Sequence, residues 1–323
     1  MRRPSKKAFC KRCLCEVSNL KNWKSLDEQL EILVNRGIGI EDEPSAKAAL
    51  QRYGYYRISG YFYPFRKLDG DTILDDFEEG TEFSNIIALY EFDRNLRLLA
   101  LDAMERIEVR LQTDLAYLLG RYDPCAHRKE VFFDGRFVTR KLSSGNTRFE
   151  EWQERFDGLV NRSSNKAFVK HNLSTYGEMP IWVAILIWDF GTLSHLFAGM
   201  KNGDQTKIAA NYGLPSGKYL KEWIRSFSYI RNISAHQERL WNNSISDISS
   251  VPPHLLNLKP LNAHKPFLYF CLMQKLLKVI NPDSNWGDKF IVLMDNFPEP
   301  ANQKVSLADF GIVDNWKEFA EWQ

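Results

Sequence analysis

The chain has 323 residues, 44% hydrophobic and 26% charged, a balance that suits a globular protein with a substantial core in one large or two ordinary domains. Its net charge is only +2, so no overall field demands a nucleic-acid or acidic partner. No run of about 18 apolar residues occurs, which excludes a helical membrane span, and the apolar stretch 181–190 is both short and interrupted by Asp189.

Residues 1–25 form a basic arm: Met1 to Lys24 holds eight Lys or Arg against one acid, Glu16. A polyanionic partner and a merely solvated arm are both open readings of this excess. No apolar stretch follows the basic residues, so a secretory signal is not expected and the cytoplasm is the default location. Cys10, Cys13 and Cys15 give C-x-x-C-x-C within the arm, but no fourth ligand stands nearby. Cys125, His127, His171 and Cys271 are distant candidates only, so reduced thiols are favoured over zinc and no metal is assigned.

Ser25 and Glu28 form a capping-box pair that opens a helix with Leu26, Leu30, Leu33 and Val34 in step, ended by Gly37. A second helix is expected over 45–53. The aromatic segment "YGYYRISGYFYPFR", Tyr53 to Arg66, follows, broken into turns by Gly54, Gly60 and Pro64. Its tyrosines suit base stacking, or a small satellite core with hydroxyls at its rim.

Phe83 to Leu119 is the longest periodic run. Leu89, Phe92, Leu96, Leu99, Ala103, Ile107 and Leu111 recur at threes and fours, which predicts one long amphipathic helix. Asp93, Arg94, Arg97, Glu105, Glu108 and Arg110 are expected on its solvated face.

Residues 121–170 carry 11 Lys or Arg against seven acids and read as a basic insertion of loops with one or two helices. "MPIWVAILIWDFGTLSHLF" is expected as one central buried helix that starts at Pro180, with His195 as a core histidine near its end. A further amphipathic helix is expected in "PFLYFCLMQKLLKVI". Residues 297–323 read as an acidic tail of short helices and turns, part of a C-terminal stretch, Asp283 to Gln323, with eight acids against three lysines. No β-hairpin alternation of any length and no internal repeat is evident. The fold class is therefore all-α.

The segment "IRNISAHQERLWN", Ile230 to Asn242, carries the chemistry. On a wheel of about 100° per residue, a helix over 223–243 gathers Arg225, Ser228, Asn232, His236, Arg239 and Asn243 opposite the apolar side. Such a face is built from donors and a titrating base rather than from mixed charges. Asn232 and His236 share a side of the helix, whereas Arg231 and His236 point roughly 140° apart unless the helix ends between them or two copies meet. The bare Arg-x4-His spacing is weak, since 21 arginines and six histidines give about 0.4 such pairs by chance. No Walker loop, metal-like carboxylate pair or Gly-x-Ser-x-Gly is present.

"RNISAHQERLWN" resembles the Arg-x4-His segment of the HEPN superfamily. More narrowly, "YGYYRISGYFYPFR", "LYEFDRNLRLLALDAMERIEVRL", "MPIWVAILIWDFGTLSHLF" and "IRNISAHQERLWN", in that order, resemble the bacterial abortive-infection proteins of the AbiD/AbiF group. The resemblance spans residues 26–296. It departs at the cysteine-bearing arm, and at Leu186, which stands where an acid often occurs.

It implies an all-α, HEPN-like helical bundle, with additional helices and the inserted basic region, used in phage defence. The implied activity is a metal-independent endoribonuclease without cofactor. RNA brings its own nucleophile, the 2′-OH. Arg231, Asn232 and His236 are the implied catalytic residues, with Arg225, Arg239 and Asn243 contacting RNA. A histidine suits general acid–base work near neutrality, and an arginine fork matches phosphate oxygens. The implied partners are an RNA substrate, a small structured antitoxin RNA and a second copy of the chain, because only one histidine here has an arginine five residues before it. The alternative is a HEPN module that holds a small RNA or a protein without cutting.

Overall fold

The computed structural model describes residues 21–323. The basic arm with Cys10, Cys13 and Cys15 lies almost entirely outside them.

Helix α1 (Leu26–Asn35) starts at the expected capping box: the Ser25 hydroxyl accepts the Glu28 N–H, and the Glu28 carboxylate accepts the Ser25 N–H. Helix α2 (Glu43–Tyr53) begins two residues before the expected start because Asp42 caps it and Pro44 sits in its first turn. The aromatic segment holds a short helix, α3 (Tyr55–Ser59), and a 3-10 turn at Tyr63–Phe65.

A hairpin that sequence reading missed comes next. Strand β1 (Arg66–Asp69) pairs antiparallel with β2 (Thr72–Phe77), joined by Gly70 and Asp71. Gly70 has φ +56°, which a two-residue hairpin loop requires at its first position. The strands are too short for alternation to show. The Gly70-Asp71 pair was the available signal.

Helix α4 (Phe83–Gly120) is the spine, 38 residues and about 57 Å long. Every expected core residue of its apolar stripe is buried. Its opposite face is not simply solvated, because Asp93 and Arg97 are buried as well. The inserted region supplies α5 (Gly135–Thr139), α6 (Arg148–Arg162) and α7 (Ala167–Tyr176).

The expected single helix after Pro180 is broken. Helix α8 (Ile181–Ala184) passes through a 3-10 turn and stops at Trp188, and α9 (Phe190–Gly199) restarts beyond it. Asp189 causes the restart: its carboxylate accepts the N–H of Thr192 at 2.7 Å and caps α9. The Arg155 guanidinium reaches the same carboxylate at 2.8 Å and ties α6 to α9. His195 is exposed on α9 rather than in the core.

Helices α10 (Asn202–Ala210), α11 (Gly217–Ala235), α12 (Pro266–Ile280) and α13 (Trp286–Asp295) complete the bundle. Helix α4 packs against α8, α11, α12 and α13. The C-terminal segment joins this core: Phe310, Trp316 and Trp322 are buried against Phe267 and Phe290 of α12 and α13. The described residues are mainly α, a helical bundle with one small hairpin. Among the described residues, no helix is long and apolar enough to cross a membrane.

Candidate functional site

Helix α11 buries Leu220, Trp223, Ile224, Phe227 and Ile230, which fixes its face toward α4 and α9. Arg231 lies about 40° round the helix from Phe227, at the border of that face, and is half-buried. Asn232, the next residue, is exposed.

The helix ends between Arg231 and His236, earlier than the expected run to Asn243. His236 is the C-cap and is exposed. Its N–H donates to the Asn232 carbonyl at 2.9 Å, so the structure keeps Asn232 and His236 in one turn. Gln237 follows with φ +60°, in the left-handed region. The Gln237 N–H bonds the Ser234 carbonyl at 3.2 Å, and the Glu238 N–H bonds the Ile233 carbonyl at 3.0 Å. This is a Schellman stop, built here on glutamine rather than glycine.

Two other elements hold the turn, α3 and α4. Arg57 of α3 donates to the Gln237 side chain. Arg239 donates to the carbonyl of Gly60. Asp93 of α4 accepts the backbone N–H groups of Leu240 and Trp241, together with the Tyr61 hydroxyl at 2.5 Å and Arg97. Burial raises the Asp93 carboxyl above the ordinary carboxylate range, against the pull of Arg97. Only donors surround it, so the ionised form is the one this niche fits.

Because the helix stops at Ala235, the face drawn through six polar residues does not persist. Arg225 stays on α11 with Asn232, and pairs with Asp247 at 3.3 Å. Arg239 and Asn243 belong to the segment beyond the turn, where the Asn243 amide donates to the Arg239 carbonyl at 3.0 Å. Among the described residues, the side chains of Arg231, Asn232 and His236 have no hydrogen-bond or ion-pair partner, so their donors and acceptors are free for a ligand.

Sequence reading placed Glu108 on the solvated face of α4 and gave it no role at the site. It is half-buried on α4, near Arg231. Burial pushes its carboxyl up to about 7. The Arg231 guanidinium pulls the other way, and Asp189 and Glu105 push it further up. At neutral pH it therefore exchanges its proton readily, next to the cation of the Arg-x4-His pair. The available signal was its place beside Ile107, at the edge of the buried stripe.

The four segments singled out in the sequence come together: Arg57, Gly60 and Tyr61 of the first and Asp93 and Arg97 of the second meet Gln237 to Trp241 of the last through these bonds, and the third packs on α4 and α11 through α8 and α9. A family model described as "Abi-like protein" matches residues 48–242, a stretch that holds all of them. The chain belongs to the Abi-like protein family. No curated protein and no solved structure matches it.

Family membership points to abortive infection, the sacrifice of a phage-infected cell, as the setting for this Abi-like protein. Its Arg-x4-His segment carries a guanidinium, an amide and an imidazole at the C-terminal end of α11. Among the described residues, no three His, Cys, Asp or Glu side chains gather as metal ligands. Cys271 is buried, and Cys125 is half-buried.

Proposed function

We propose that this Abi-like protein is a metal-independent HEPN-type endoribonuclease of the cytoplasm that acts in phage defence. The observation that carries the reading is the helix stop between Arg231 and His236. The stop puts His236 at the exposed C-cap of α11, still bonded to the Asn232 carbonyl, and among the described residues the side chains of Arg231, Asn232 and His236 have no hydrogen-bond or ion-pair partner.

His236 takes the proton of the RNA 2′-OH as that oxygen attacks the adjacent phosphorus. Arg231 bears on the phosphorane oxygens as their charge grows, and Asn232 orients the histidine or donates to the phosphate. The 5′-oxygen leaves with a proton given by the histidine of a second copy, since one chain supplies one such residue. The products are a 2′,3′-cyclic phosphate and a 5′-hydroxyl. A small structured RNA that occupies the same turn would hold the enzyme in check.

The test is cleavage of total cellular RNA in the presence of EDTA, by wild type and His236→Ala in parallel. Cutting by wild type alone is expected. Equal cutting by both would overturn the assignment. Tight binding without cutting by either would replace it with an RNA-holding module.

A further inference from the structure

The aromatic segment offers two uses for its tyrosines, and the structure divides them. Tyr61, Phe62 and Phe65 are buried in the core, and the Tyr53 hydroxyl is bound to Glu91. Tyr56, on α3, is 76% exposed. An exposed tyrosine alone means little, so its place decides.

Helix α3 is one of the elements that hold the turn after His236, through Arg57 on Gln237 and the Gly60 carbonyl under Arg239. Around α3, Gly60 falls about 40° and Arg57 about 100° from Tyr56. Tyr56 is thus the exposed ring next in the chain to Arg57, the residue that reaches the turn after His236. Tyr55 braces that ring edge-to-face, with centroids 6.1 Å apart at 80°. Arg57 spends one guanidinium nitrogen on protein, and the others stay available for a phosphate.

We infer that Tyr56 is a nucleobase-stacking subsite: an unpaired base next to the phosphate held at His236 lies flat on the Tyr56 ring, with Arg57 on its backbone. The path of the strand rests on the ribonuclease reading, but the stacking itself needs no cleavage. Every base has a π-face, so the subsite selects unpaired RNA over duplex rather than one sequence over another.

The test uses the full chain carrying His236→Ala, so that RNA stays intact. The probe is a short single-stranded RNA containing 2-aminopurine, followed by anisotropy for binding and by fluorescence quenching for stacking. Tyr56→Ala is expected to abolish quenching and weaken binding about tenfold or more, the size of one lost base stack. Tyr56→Trp is expected to keep both. Tyr117→Ala serves as the control, since Tyr117 is equally exposed but lies about 36 Å along α4 from Asp93, and should change neither.

Binding and quenching by Tyr56→Ala equal to those of its parent would overturn the inference. So would an equal loss in Tyr117→Ala, or no RNA binding at all. The two readings fail separately. Wild type that quenches through Tyr56 but never cuts removes the nuclease and keeps the subsite. Wild type that cuts while Tyr56→Ala binds normally removes the subsite and keeps the nuclease.

Discussion

The carboxylate of Asp93 accepts the backbone N–H of Trp241 at 2.6 Å, and this bond fastens the chain beyond the His236 turn to the N-terminal third of α4. The same carboxylate accepts the Leu240 N–H at 3.1 Å and sits against Arg97. An ion pair at this depth contributes little net stability when intact, but breaking it strands a charge.

Asp93→Ala therefore leaves Arg97 buried without its counter-charge and two backbone N–H groups without acceptors. The expected cost is about 3–5 kcal/mol of unfolding free energy. Urea denaturation measures it. A loss under about 1 kcal/mol would mean that the Asp93 niche does not hold the turn as described.

Glu108 makes stability depend on pH in a defined direction. Its carboxyl is raised from the ordinary 4.5 to about 7 by burial, so the folded chain binds this proton more tightly than the unfolded one. The resulting stabilisation is full below about pH 4.5 and is lost as pH rises through about 7. Glu108→Gln stays neutral throughout. It is expected to be more stable than wild type at pH 8, by on the order of 2 kcal/mol, with the gap closing toward pH 4.5. Thermal melts of both proteins across that range check this. A gap that widens toward low pH would reverse the assignment.

Much of this was legible in the sequence because the signals were local. The Ser25–Glu28 box, the stripe of α4 and the Arg-x4-His segment depend on near neighbours in the chain. What was not legible depends on tertiary partners. Asp93 and Arg97 look like an ordinary surface pair at i, i+4 until Trp241 folds onto them from 148 residues away. The break at Asp189 was readable as a cap, since an aspartate with a threonine three residues on is a common helix start. The apolar run around it hid that signal. The helix end at His236 was least legible, because glutamine rather than glycine takes the left-handed position.

That choice gives a test of the turn itself. A left-handed residue with a side chain costs roughly 1 kcal/mol that glycine avoids. Gln237→Gly is expected to hold or slightly raise the melting temperature, despite the lost contact with Arg57. Gln237→Val, β-branched at φ +60°, is expected to lower it by several degrees. Equal melting of the two variants would show that Gln237 is not in this conformation in solution.

Gly217, the first residue of α11, controls where the helix sits. A methyl group added there would lie 2.7 Å from the Gln205 carbonyl carbon and 2.9 Å from the Thr206 nitrogen, both backbone atoms of α10. Backbone cannot swing aside as a side chain does. Gly217→Ala is expected to cost about 1–3 kcal/mol through overpacking and to shift α11 against α10. Because α11 carries Arg231, cleavage should fall by more than the folded fraction explains. Measuring activity per folded molecule, with the folded fraction taken from near-UV circular dichroism, separates the two effects. Unchanged activity per folded molecule would show that the register of α11 does not matter to the site.

Arg231 is the final test, because its two duties call for different atoms. Its aliphatic stem lies at the edge of the buried face of α11, and its guanidinium stands near Glu108. Arg231→Lys keeps the stem and the charge, so folding should change by less than about 0.5 kcal/mol. It removes the planar fork, which a single ammonium cannot replace on two phosphate oxygens. If Arg231 serves the transition state, cleavage should drop about a hundredfold in the lysine variant at unchanged melting temperature, with the apparent affinity for uncut RNA nearly kept. If it serves only to hold α11 beside Glu108, lysine should restore nearly full cutting. The ratio of kcat to KM for Arg231→Lys therefore tells a group that acts on the phosphate from one that only positions the helix.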